Sequence, residues 1–175
     1  MGWGNLIIAP DRIGGGNLII LREAGDLIVA RAYPESYQEL LRNKILDGQS
    51  WAVPAFSEGK VYCRNNSGDV VCLQLFGPPT AQLAPTVSRG QEPAKSPGSR
   101  SPEKVETRNS KVELPLQTTP GQWPRFRGPG GLGVVPHQID NCKLKIENWR
   151  WKVPVPLAGQ SSPVVWDKYV FLDLC

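Results

Sequence analysis

Histidine is almost missing from this chain of 175 residues: His137 is the single one. A histidine-based metal cluster therefore has no second ligand. A histidine–cysteine dyad has one nearby combination, with Cys142, and no evident group to orient it, so His137 reads as a solvated loop residue. Cysteine is also sparse. Cys63, Cys72, Cys142 and Cys175 contain no CxxC spacing, which excludes the usual zinc patterns. No apolar run approaches the ~20 residues that a membrane-spanning helix needs, so no membrane span is expected. Met1-Gly2-Trp3-Gly4-Asn5 places no positive charge ahead of the short run Leu6-Ile7-Ile8-Ala9, so no signal peptide is expected either. The formal charge of +4 is modest. Because many basic residues lie mid-chain without interleaved aromatics, they read as a solvated stretch, and no nucleic-acid partner is expected.

What is abundant is proline and glycine, 17 and 18 residues. The proline excess is concentrated in the middle, which divides the chain into two ordered ends, 1–75 and 121–175, and a disordered Pro/Ser-rich linker, 76–120. Gly77-Pro78-Pro79, Ser96-Pro97-Gly98 and Thr118-Thr119-Pro120 bracket polar sequence with no lasting apolar period. A flexible coil of ~45 residues spans about 35–40 Å, so the two ends fit equally on one body or on two.

The first ordered end says the same thing twice. Gly16-Asn17-Leu18-Ile19-Ile20-Leu21 runs through Gly25-Asp26 into Leu27-Ile28-Val29-Ala30. At an offset of 43, Gly59-Lys60-Val61-Tyr62-Cys63-Arg64 runs through Gly68-Asp69 into Val70-Val71-Cys72-Leu73. A third opening comes late: Pro163-Val164-Val165 and Val170-Phe171 repeat Pro54-Ala55-Phe56 and Val61-Tyr62 at an offset of 109. Each unit reads as apolar strand, Gly-Asp turn, apolar strand. A period of roughly 40–50 residues carrying strand hairpins is the spacing of β-propeller blades, about four antiparallel strands each.

Leu6–Ala9 and Leu18–Leu21 read as strands, because the intervening Pro10-Asp11 and Gly14-Gly15-Gly16 cannot sustain a helix. The hairpin over 18–32 turns at Ala24-Gly25-Asp26, where glycine supplies positive φ. Over 35–46 helical and strand spacing compete, and the repeat favours an extended segment. Trp51 and Pro54 open the second unit, with the proline at a strand margin. In the second hairpin a two-residue loop at Ser67-Gly68 sets Cys63 opposite Cys72, close enough to bridge, whereas a loop of three or four residues separates them. Gly68 also fits the left-handed position of a longer loop, which favours two unpaired buried thiols. In the late segment Trp149 and Trp151 fall on one side of a strand and are expected to pack between blades.

Leu18-Ile-Ile-Leu…Gly25-Asp-Leu, Pro34-Glu-Ser-Tyr-Gln-Glu-Leu, Asp47-Gly-Gln-Ser-Trp51-Ala-Val-Pro54 and Gly59-Lys-Val-Tyr-Cys-Arg-Asn65…Gly68-Asp-Val-Val-Cys-Leu73 resemble the closing blades of the bacterial PQQ-type (quinoprotein-like, BamB-like) β-propeller repeat family. Trp123-Pro-Arg-Phe-Arg-Gly-Pro-Gly130, Trp149-Arg-Trp151 and Gly159-Gln-Ser-Ser-Pro-Val-Val165 resemble its opening. A closing portion thus precedes an opening portion, as in a junction of tandem propellers or a fragment. The resemblance implies an all-β fold, a partial propeller with a long disordered linker, whose repeat positions are Gly16, Gly25, Asp26, Trp51, Pro54, Gly59, Tyr62, Gly68, Asp69, Trp149, Trp151 and Pro163. It implies two functions of different class: a non-catalytic binding and assembly scaffold, or part of a PQQ-dependent quinoprotein dehydrogenase holding the quinone and calcium. No adjacent cysteine pair accompanies the match. Asp26 and Asp69 fall in repeated turns, where bonding to backbone explains them. The scaffold without cofactor, catalytic or metal residues is therefore the expectation. The family further implies a periplasmic or cell-envelope setting.

Propellers close with four to eight blades, and this chain supplies about two and a beginning. A blade face of ~400 Å² left in water forfeits on the order of 10 kcal/mol at 25 cal/mol per Å², comparable with the net stability of a domain. Self-association, a protein partner or further blades are the expected remedy. Gly128-Pro-Gly130-Gly131-Leu-Gly133 satisfies GxGxxG, but it follows no clear strand and opens no helical pattern, so no dinucleotide site is expected.

Overall fold

The computed structural model describes residues 3–11, 15–75, 121–136, 149–156 and 158–173. The linker reading of 76–120 and the readings of His137, Cys142 and Cys175 lie outside them. The described residues form three antiparallel sheets of four, four and three strands, with no α-helix and one 3-10 turn at Pro129–Gly131. Among them no helix is long and apolar enough to cross a membrane.

The first sheet is a meander of β1 (Gly4–Pro10), β2 (Gly16–Arg22), β3 (Asp26–Ala32) and β4 (Tyr37–Lys44) in that order. Strand register places Ile7, Ile19 and Val29 on one face, together with Leu21 and Leu27, and Leu6, Ile20 and Ile28 on the other. The first of these faces is fully buried. The competition over 35–46 resolves as strand β4, whose pairing with β3 shifts between Val29 and Ala30 so that Leu40 is the extra residue. A bulge adds one residue to one strand, which explains how the run carries helix-like apolar spacing and still pairs. Glu39, Arg42 and Lys44 give this outer strand a charged edge, the usual guard against strand addition.

The second sheet takes β5 (Ala55–Ser57), β6 (Lys60–Arg64) and β7 (Asp69–Gln74) from the early segment and β9 (Trp149–Pro154) from the late one, in the order β5-β6-β7-β9. Pro54 sits just before β5, where its missing N–H breaks no ladder. The 43-residue repeat superposes β2–β3 on β6–β7, the two middle strands of their sheets. Gly25 and Gly68 both carry positive φ (86° and 108°), and each immediately precedes the aspartate that opens the next strand. Gly16, in contrast, lies within β2, whereas Gly59 (φ 76°) forms the tight β5–β6 turn with Glu58 (φ 51°).

The third sheet has β8 (Gln122–Trp123), β10 (Val164–Trp166) and β11 (Tyr169–Phe171), ordered β11-β10-β8. Its β10–β11 hairpin stands 109 residues after β5–β6, and Asp167 (φ 53°) repeats the positive φ of Glu58. Pro163 is buried immediately before β10, as Pro54 is before β5. From β8 the chain continues to 133–135, which bonds to β1: the Ile8 N–H donates to Gly133 O (2.7 Å) and the Val135 N–H to Ile8 O (2.8 Å). One core contains Ile7, Ile19, Leu27, Phe56, Val61, Cys63, Val71, Trp123, Val135 and Val165. Early and late segments therefore share a single body, the choice that linker length left open.

Candidate binding surfaces

Five residues link the second sheet to the third. The Val53 N–H donates to Ser162 Oγ (3.0 Å), and Arg64 Nη1 donates to Ser161 Oγ (2.7 Å) and to Asp173 O (2.8 Å). Arg64 is fully buried, and its guanidinium lies so close to Gly159 that a Cβ there would stand 2.5 Å from Nη2. In the sequence Arg64 reads as an ordinary strand residue. Its signal was available, because the repeat sets it against Leu21, and an arginine at a buried leucine position needs buried acceptors.

The Asp26 and Asp69 carboxylates are occupied locally. Asp69 Oδ2 accepts from Asn65 Nδ2 (3.0 Å) and lies 3.9 Å from Lys152 Nζ, while the Asp69 N–H donates to Asn65 Oδ1 (2.7 Å). Asp26 Oδ2 faces Arg22 Nη1 at 3.5 Å. Both secure turns at the head of β3 and β7. The four-residue loop 65–68 fixes the register at Tyr62 opposite Cys72 and Cys63 opposite Val71, so the two thiols point to opposite faces and remain free.

A groove of about 730 Å³ opens along the second sheet, lined by Glu58, Lys60, Tyr62, Cys72, Arg150, Trp151, Asp167 and Lys168. Burial pushes the Cys72 thiol up, against the opposing pull of the Tyr62 hydrogen bond and of Lys60 and Arg150. Burial pushes Tyr62 up as well, with Cys72 adding to it. Cys63, fully buried, is raised for the same first reason, with Cys72 as the lesser cause. Both thiols therefore stay protonated at neutral pH, the state in which cysteine is a poor nucleophile.

The tryptophans at this groove correct the sequence reading. The β7–β9 register shifts between Cys72 and Leu73, leaving Arg150 as the extra residue; Trp151 pairs with Cys72 and Trp149 with Leu73. Cys72 and Leu73 are consecutive and face opposite sides, so the two tryptophans do not share one face. Trp151 tilts against Tyr62 at 6.1 Å between ring centroids. Trp151 and Trp149 remain 37% and 39% exposed, on a strand that forms the sheet's outer edge. Trp51 is exposed too, and its indole N–H donates to Glu23 Oε1 (3.2 Å) beside a pocket of about 500 Å³ that includes Trp3. The GxGxxG run holds the short 3-10 turn Pro129–Gly131, with Gly128 at its N-cap seated against the Trp123 ring.

Three large exposed side chains share one face of the third sheet. Register puts Val164 opposite Phe171 and Trp166 opposite Tyr169 on one face, while Val165 and Val170 turn to the core. Trp166, Tyr169 and Phe171 are 47%, 57% and 56% exposed. No protein-family model, curated protein or solved structure matches the chain.

Proposed function

We propose that the chain is a non-catalytic scaffold of the bacterial PQQ-like, BamB-like β-propeller repeat type, which binds protein through exposed strand edges and the loops at sheet ends. One observation carries the reading. Residues one repeat apart meet across neighbouring sheets, Val53 with Ser162 and Arg64 with Asp173, both at a separation of 109. A constant rotation from blade to blade produces that pattern, because equivalent positions on successive blades then become neighbours. The 43-residue repeat adds to it by falling on the middle strands of two sheets. Binding through edges and loops suits a body whose repeat carboxylates hold their own turns and which exposes aromatic side chains, Trp149, Trp151, Trp166, Tyr169 and Phe171 among them.

The second reading, part of a quinoprotein dehydrogenase, differs in what must bind. Asp26 and Asp69, the repeat carboxylates, hold their own turns, which favours the scaffold. Melting the full chain with PQQ and calcium, singly and together, separates the two. The scaffold leaves the midpoint unchanged. A saturable rise that needs both additives, about 2.7 kcal/mol at a hundredfold excess over Kd, would replace it with the enzyme reading.

A further inference from the structure

We propose that the aromatic face of the third sheet is covered by the first sheet of a second copy of this chain, two copies joining head to tail; this rests on reading the sheets as successive blades. The argument is continuity with an interface the chain already makes. Ile19 and Val29 stand 43 residues before Tyr62 and Cys72, so these pairs occupy equivalent faces of the first and second sheets. The core that contains the Ile19 face holds residues from both faces of the second sheet. Phe56, Val61 and Val71, on the face opposite Tyr62, are almost wholly buried, and with the third sheet on the Tyr62 side it is the first sheet that covers them. The Tyr62 face in turn meets the third sheet through Arg64, Ser161 and Asp173, and Val165 and Val170 turn inward. Each sheet thus presents the same face to its successor.

On the third sheet that face is Val164, Trp166, Tyr169 and Phe171, which stand 109 residues after Ala55, Ser57, Lys60 and Tyr62. Where the second sheet buries Tyr62 to 6% exposure, the third leaves Phe171 at 56%. The complementary face lies at the other end of the stack and is exposed at its β1 margin, while Ile28 and Ala30 on the same side are already buried. Leu6 is 47% exposed, and Ile8, Leu18 and Ile20 on the same side of the first sheet are half-buried. Such a contact joins two different patches, and heterologous contacts close into rings when the rotation permits. Two copies carry six sheets, within the four to eight at which propellers close.

Sedimentation equilibrium of the full chain over a range of concentrations tests the proposal, with circular dichroism to verify folding. The wild type is expected to form dimers. Tyr169→Lys/Phe171→Lys, which alters one face, and Leu6→Lys, which alters the other, are each expected to weaken dimerisation at least tenfold. Mixed in equal amounts, these two variants are expected to form a one-to-one heterodimer tighter than either variant alone, because one unaltered pair of faces is regained. A monomeric folded wild type, including one whose aromatic face takes up a hydrophobic dye or another partner, overturns the proposal. So does dimerisation that survives the Leu6 change, which means the aromatic faces meet each other. None of those failures touches the scaffold reading, which fails instead on a melting shift with quinone and calcium.

Discussion

Gly25 sits where φ is +86° and where a Cβ would lie 2.1 Å from the carbonyl oxygen of Leu46. That carbonyl belongs to the segment leaving β4, and the Ile45 and Leu46 N–H groups both donate back to Gly25 O (3.0 and 3.2 Å). Close approach of backbone therefore adds to the dihedral requirement. Gly131 offers the control, since it has φ +72° and nothing within 4 Å of a Cβ. Gly131→Ala is expected to cost about 1 kcal/mol, the left-handed penalty alone. Gly25→Ala is expected to cost more than about 3 kcal/mol, measured by urea denaturation, because the carbonyl must also move. Equal losses would mean that the turn at Gly25 is not pressed against Leu46. The need for glycine was legible from the Gly-Asp turn pattern; the distant carbonyl was not, because a turn signal is local and the contact spans 21 residues. Arg64 shows the same limit, since the repeat marks it as odd but does not name Ser161 and Asp173 as its acceptors.

At the scale of strands, alternation and turn residues sufficed for β1–β3 and β5–β7, whose neighbours lie close in sequence. Two elements needed more than local pattern. For β4, a bulge superimposed helix-like spacing on a strand. For β9, the alternation of Trp149, Trp151 and Val153 with Arg150 and Lys152 reads as a strand, yet its partner β7 ends at Gln74, far back along the chain. A register shift then turned its tryptophans to different faces, which alternation alone could not foresee. In an antiparallel pair alternate residues exchange ladder hydrogen bonds, and Val71–Lys152 and Val70–Val153 are consecutive pairs beyond the shift. Only one of Lys152→Pro and Val153→Pro therefore removes a bond to β7. Amide exchange at Val70 and Val71 should accelerate at least tenfold more in one variant than in the other. Identical exchange in both would mean that β9 does not pair there.

At the scale of the molecule, the 43- and 109-residue offsets gave the sheet repeat before any coordinates. The spatial consequence, neighbouring sheets meeting through equivalent residues, required them. The linker's length permitted one body or two. What decides it physically is that β7 lacks an outer neighbour within the first 75 residues and β9 fills that place, while Trp123 and Val165 enter the core that the early strands build. Burying those side chains contributes roughly 1.5–3 kcal/mol each, enough to offset closing a loop whose cost rises only logarithmically with length.

Long-range NOEs in the full-length protein test this union most directly. The expected cross-peaks join Val70 to Val153 and Cys72 to Trp151 across the β7–β9 ladder, and Val53 to Ser162 between sheets. A spectrum in which residues 3–75 show NOEs only among themselves, with the late segment separate, would contradict it.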